Sequence, residues 1–151
     1  MGQLFSLGNL LILPFWALMI AFPHWRWTRR IIASPLVAVL PALLYAAVVL
    51  PRVGEILPAV ASPALPDVSR LLGTPEGATA AWMHFLAFDL FVGRWAYLDS
   101  RERGMNAWLM APVLFLILML GPIGFMLYLA IRALATRSAT SSTTTPAGER
   151  G

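Results

Sequence analysis

The chain of 151 residues would suit one soluble domain by length, yet 59% of it is hydrophobic and only 12% charged, against about 25% charged in ordinary globular domains. A globule of this size could not hide so much apolar side chain from water, so a bilayer is the expected surrounding. The net charge of +4 comes from arginine without any lysine, and the arginines cluster in turns between apolar runs, as charges flanking membrane spans do, which excludes a nucleic-acid-binding face.

In chain order, four apolar stretches are long enough to cross a membrane: 4–22, 31–50, 78–97 and 108–131. At 1.5 Å rise per residue they reach about 28 to 36 Å, matching a hydrocarbon core of about 30 Å. The expected fold is all-α: an integral membrane bundle of four transmembrane helices over residues 1–135, followed by a disordered Ser/Thr-rich tail over 136–151. The first stretch lacks a basic n-region and a small-x-small cleavage site, so it reads as a retained span.

Prolines interrupt three of the stretches: Pro14 in the first, Pro35 and Pro41 in the second, Pro112 and Pro122 in the fourth. Each removes an amide donor and tends to kink the helix. Gly121-Pro122-Ile123-Gly124 is the strongest break, and the fourth span is expected to bend or divide there. The third stretch has no internal proline. It opens on Thr74-Pro75-Glu76, which reads as an N-cap, a proline at the first helical position and an acid facing the helix dipole, and it should end by Gly104. Between the second and third stretches, residues 67–73 can form a short capped surface helix.

The turn between the first two stretches packs Arg26, Arg29 and Arg30 together, which favours that turn in the cytoplasm; Arg52, Arg132 and Arg137 argue the other way. Trp25, Trp27, Trp95, Tyr97 and Trp108 would all lie on the side shared by the first and third turns, as interfacial aromatic anchors do.

Several chemistries are excluded by residue counts. Without lysine there is no Schiff base to retinal or pyridoxal phosphate. Without cysteine there are no disulfides or thiolate metal sites. Two histidines cannot build a multi-histidine di-iron centre, and axial haem ligation by His24 and His84 in one chain fails because they belong at different depths. No cofactor and no metal are expected.

The informative stretch runs from His84 to Arg94. Asp89 lies near the midpoint of the third span, where an Asp costs on the order of 2.5–3.5 kcal/mol on insertion scales, so it needs a partner, a proton or a cavity. At 100° per residue, His84 and Asp89 point about 140° apart, as do Asp89 and Arg94. Each must find its own neighbour: another helix, a second copy of the chain, or another membrane protein. If spans one and three run parallel and span two against them, Asn9, Tyr45 and His84 fall within about 2 Å of one depth. They are expected to form a ligand-binding pocket beside Asp89, suited to the polar end of a long apolar molecule. Polar groups acting only as hydrogen-bonded packing between helices are the plainer reading.

The run His84, Leu86, Ala87, Asp89, Leu90, Phe91 and Arg94 resembles the His-x-Leu-Ala-x-Asp-Leu-Phe-x-x-Arg pattern of the abscisic-acid-deficient-four-like membrane family, which includes a plant protein of neoxanthin synthesis. Tyr97-Leu98-Asp99-Ser100-Arg101 and the Pro112 to Pro122 segment look like bacterial members, and the similarity is specific over residues 82–132. The resemblance implies a four-span protein linked to carotenoids, acting on or binding a carotenoid-like lipid by cofactor-free acid–base chemistry. His84 would then be the base, Asp89 the proton donor and Arg94 a positioning charge. Two other readings stand beside it: a non-catalytic packing or assembly subunit, and a small proton-coupled transporter using Asp89. Arginine without lysine in an alanine-rich chain points to a GC-rich bacterium, and so to its inner membrane.

Overall fold

The computed structural model of the chain describes residues 1–141, with side-chain surroundings up to residue 136. These residues form α-helices without strands: α1 Gly2–Ala21, α2 Arg26–Ala33, α3 Leu36–Val49, α4 Val53–Ala61, α5 Leu65–Leu72, α6 Pro75–Glu102 and α7 Ala107–Ser141, with a 3-10 turn at Leu50–Arg52 joining α3 to α4. Among the described residues three helical segments are long and apolar enough to cross a membrane: Gly2–Ala21, Leu36–Ala61 and Ala107–Thr136. The expectation of four differs at the third stretch. It lies in α6, which is long enough at 28 residues but is diluted by Glu76, His84, Asp89, Arg94, Asp99 and its terminal Arg101 and Glu102.

The centre of the bundle is α6. Its start follows the sequence rule: Thr74 Oγ1 accepts a hydrogen bond from Gly77 N at 3.0 Å, with Pro75 in the first turn, which satisfies one of the amides that a helix N-terminus leaves free. Gly104, at φ 64°, turns the chain after its last residue. Along one side, α1 runs parallel to α6. Gly8 meets Met83, Gly93 receives the Trp16 ring, and Tyr97 Oη donates to Pro23 O at 3.0 Å. On the other side α3 runs antiparallel, so that Tyr45 meets His84 and Arg52 pairs with Glu76 at 3.6 Å.

The second stretch is displaced from 31–50. Pro35 has no amide to donate and steers Ser34 out of helical geometry, to φ −64° and ψ 131°. The helix therefore breaks into a short amphipathic α2, with Thr28 and Ile32 buried while Arg26, Arg29 and Arg30 stay exposed, and an apolar run that continues to Ala61 through residues expected to be a loop. The short helix expected over 67–73 appears as α5.

The largest departure is α7. At Leu120 (φ −135°, ψ 30°) and Gly121 (φ 16°, ψ −85°) the backbone is non-helical, dividing it into arms 107–119 and 122–141. The contacts give the direction of each arm. Met105 N bonds Ser100 O at 2.9 Å, so the first arm starts level with the end of α6. Gly121 lies against Asp89, where an added Cβ would come 2.5 Å from the carboxylate; Asp89 is about 15 Å back along α6 from Asp99. The second arm then returns, for Tyr128 Oη donates to Asp99 and Arg132 Nε sits 3.1 Å from the same carboxylate. Gly124 packs directly on the backbone of Leu116 and Ile117, 2.5 Å from Leu116 C for an added Cβ. The fourth stretch is thus a helical hairpin whose elbow meets the middle of α6. Its apolar length is not laid out straight. Helix continues past Thr136 to Ser141, and the rest of the expected disordered tail lies outside the described residues.

Candidate functional site

His84 projects from α6 toward α3. Its ring lies 5.6 Å from that of Tyr45, edge to face, and 4.6 Å from that of Phe88, stacked. Phe88 also lines an apolar groove of about 350 Å³ formed by Ala38, Val39, Ala42, Ala87, Phe88 and Phe91, between α3 and α6. The groove exists because alanines stand where larger residues would close it, while Phe88 and Phe91 remain exposed along its side. The polar pair His84 and Tyr45 therefore adjoins one end of an apolar channel.

Asn9 is placed elsewhere. Its Oδ1 accepts from Trp82 Nε1 at 3.1 Å and its Nδ2 donates to Phe5 O at 3.0 Å. Trp82 and His84 lie about 160° apart around the helix, so Asn9 serves the α1 side of α6 rather than the His84 pair. Asp89 is separate again, half-buried against the α7 elbow at Gly121. Among the described residues no donor lies within hydrogen-bonding reach of its carboxylate. The structure thus brings together His84 and Tyr45, and does not bring Asn9 or Asp89 to them.

Arg94 has a defined partner set. Its Nε donates to Ile32 O at 2.7 Å and its Nη2 to Ala33 O at 2.6 Å. The break at Ser34–Pro35 deprives these two carbonyls of regular helical partners. The guanidinium fork takes both, and its charge suits a helix C-terminus.

The sequence reading missed a cluster around Asp99. Asp99 Oδ2 accepts hydrogen bonds from Arg103 Nε at 2.8 Å and from Tyr128 Oη, and Arg132 Nε lies 3.1 Å away as an ion-pair partner. Arg132 also lies 5.5 Å from the Trp95 ring centre, and that ring meets Tyr128 edge to face at 5.5 Å. Burial alone would raise the Asp99 carboxyl, but hydrogen bonds from Arg103 and Tyr128 and the charge of Arg132 hold it below the usual carboxylate range. The i,i+4 spacings Asp99/Arg103 and Tyr128/Arg132 were visible signals; their meeting depends on the elbow. Chemically this cluster is a clamp that fastens the returning arm to α6. Among the described residues no three His, Asp or Glu side chains gather as metal ligands would.

Comparison with known proteins agrees with the motif on α6. A family model described as ABA DEFICIENT 4-like matches residues 3–128. The chain is 26% identical over 107 residues to Protein ABA DEFICIENT 4, chloroplastic, of Arabidopsis thaliana, covering 67% of this chain and 49% of that protein. The chain therefore spans about half the length of this curated relative. No solved structure gives a significant match. With its model matching residues 3 to 128 of 151, the chain belongs to the ABA DEFICIENT 4-like family.

Proposed function

We propose that the chain is an integral membrane protein, of a bacterial cell membrane, that holds a long apolar, carotenoid-like molecule in the groove between α3 and α6. The observation that carries this reading is the groove itself. It is about 350 Å³, lined among the described residues by Ala, Val and Phe, and shares the Phe88 ring with the His84–Tyr45 pair. One stretch of a polyene or lipid tail would lie along the groove, and its oxygenated end would meet an imidazole and a phenol. Such a pair can withdraw one proton and deliver another, the exchange that an isomerisation needs without any cofactor. Asp89 stands apart from that exchange, on the α7 side.

In the proposed embedding α1, α3 with α4, and α6 cross the bilayer, which makes three crossings. The two arms of α7 enter and leave on one face, with the elbow near mid-membrane beside Asp89. Arg26, Arg29, Arg30, Arg101, Arg103 and Arg132 then share one face and Arg52 and Arg70 the other. By the positive-inside bias the first face is cytoplasmic. Arg132, which opposes that orientation in a four-crossing layout, supports it once α7 folds back. Reporter fusions after Arg30, after Arg103 and after Thr136 should all report the same side, and a fusion at Ser69 the opposite one. A fusion after Thr136 that agrees with Ser69 rejects the hairpin.

The function is tested by pigment and lipid extracts of a deletion strain. Wild type should restore the altered profile, and Ala42→Trp, which fills the groove, should not. An unchanged profile on deletion refutes the reading. Asp89, half-buried and without a donor among the described residues, favours proton-coupled transport as a second reading. That reading predicts pH-dependent flux that Asp89→Asn abolishes.

A further inference from the structure

A cavity of about 830 Å³ lies between the turn joining α1 to α2 and the turn joining α6 to α7. Arg26, Arg29 and Arg101 line it, and among the described residues no Asp or Glu does. Among the described residues none of these three takes part in an ion pair, whereas Arg52, Arg70, Arg103 and Arg132 all do. Arg101 is fixed by its hydrogen bond to Met105 O, and Arg26 rests on the Trp27 ring at 5.4 Å. Two helices also begin at the cavity, α2 at Arg26 and α7 at Ala107, and neither carries an acid in its first turn. At α7 the Trp108 amide is taken by Asn106 Oδ1 at 2.8 Å, but among the described residues no carboxylate faces the partial positive end of either helix. Trp25 and Trp108, 52% and 77% exposed, stand at its walls.

We propose that this cavity is a binding site for a phosphate-type oxyanion, presented by the headgroup of an anionic phospholipid. Three guanidiniums around one space repel each other until an anion enters, and their planar forks match phosphate oxygens in pairs. The amides that open α2, which no side chain caps, add donors of the same sign. The tryptophans set the source of the anion, because indole rings settle at the depth of lipid headgroups. This assignment of source rests on the membrane embedding proposed above; the charge arrangement does not.

The full-length protein in dodecyl maltoside would be titrated with short-chain phosphatidylglycerol, with short-chain phosphatidylcholine and with inorganic phosphate, following the tryptophan fluorescence. Phosphatidylglycerol should act at about tenfold lower concentration than phosphatidylcholine, and Arg29→Gln, whose guanidinium makes no hydrogen bond among the described residues, should weaken it about tenfold. Arg26→Gln should do the same. Equal action of the two lipids, or an Arg29→Gln protein that still binds like wild type, overturns the site. Inorganic phosphate matching phosphatidylglycerol, with the same arginine dependence, supports the oxyanion site and overturns its lipid source. Resistance to alkaline carbonate extraction tests the embedding by itself. A chain that stays in the membrane yet shows no anion preference refutes this proposal alone.

Discussion

Replacing Arg94 by methionine keeps most of the apolar stem and removes the fork that holds Ile32 O and Ala33 O at 2.7 and 2.6 Å. A hydrogen bond from a charged donor contributes about 1.5–3 kcal/mol. Two are lost, but the one to Ala33 is exposed, so the expected destabilisation is about 3 kcal/mol rather than the sum of the upper values. Arg94→Lys should recover roughly half of that, because an ammonium cannot reproduce the rigid two-pronged geometry. The assay is thermal unfolding of the purified protein in detergent, followed by circular dichroism and paired with the pigment phenotype. If Arg94→Met unfolds within about 0.5 kcal/mol of wild type, the two carbonyls find other partners and Arg94 does not secure the break between α2 and α3. If Arg94→Lys is as stable as wild type but loses the phenotype, the guanidinium touches the ligand, and holding the two carbonyls is not its role.

Gly124→Ala should cost about 1–3 kcal/mol, because its Cβ would overlap the Leu116–Ile117 backbone, whereas Gly8→Ala meets only the flexible end of Met83 and should cost clearly less; equal losses in unfolding temperature would contradict the tight hairpin. For Asp99 the folded carboxyl lies below its ordinary value, so its contribution is present above the unfolded pKa of about 3.9 and lost as pH falls through the lower folded one. Unfolding temperature should therefore hold from about pH 5 upward and drop only below about pH 4 on account of this group, and Asp99→Asn should remove that acid-side loss while lowering stability at neutral pH. In complementation, His84→Gln should abolish the pigment phenotype and Asp89→Asn should spare it at normal protein abundance; the reverse pattern moves the chemistry to the α7 side.

Much of α6 was legible because its signals are local. Thr74 and Pro75 start it, Gly104 stops it, and the parallel course of α1 with the antiparallel course of α3 follows from alternation along the chain. That alternation also placed Tyr45 beside His84. Asn9 shares their depth but not their side, and depth arithmetic contains no rotation about the helix axis; the hydrogen bond to Trp82 decides it. Arg94 read only as a charge in need of a neighbour, because its partners Ile32 O and Ala33 O are free only after Pro35 has broken the helix. The elbow of α7 was marked by Gly121-Pro122, yet hydropathy measures composition and not direction. The reversal depends on Gly124 against Leu116 and on Tyr128 and Arg132 reaching Asp99, contacts that no local window contains.

The hairpin also gives the molecule an uneven cross-section. On the side of the arginine-rich turns, α6 is flanked by the end of α1, by α2 with the start of α3, and by both arms of α7; beyond the elbow, among the described residues, α1 and α3 remain beside it. Under the proposed embedding the protein is a wedge, broad in one leaflet and narrow in the other. Lipid tails must fill the space under Leu120, Ile123 and Met126, which are 50%, 59% and 68% exposed. A wedge of this sense presses apart the headgroups of its wide leaflet, so the protein should favour membranes curved toward that face and concentrate there when vesicles of different radius compete for it.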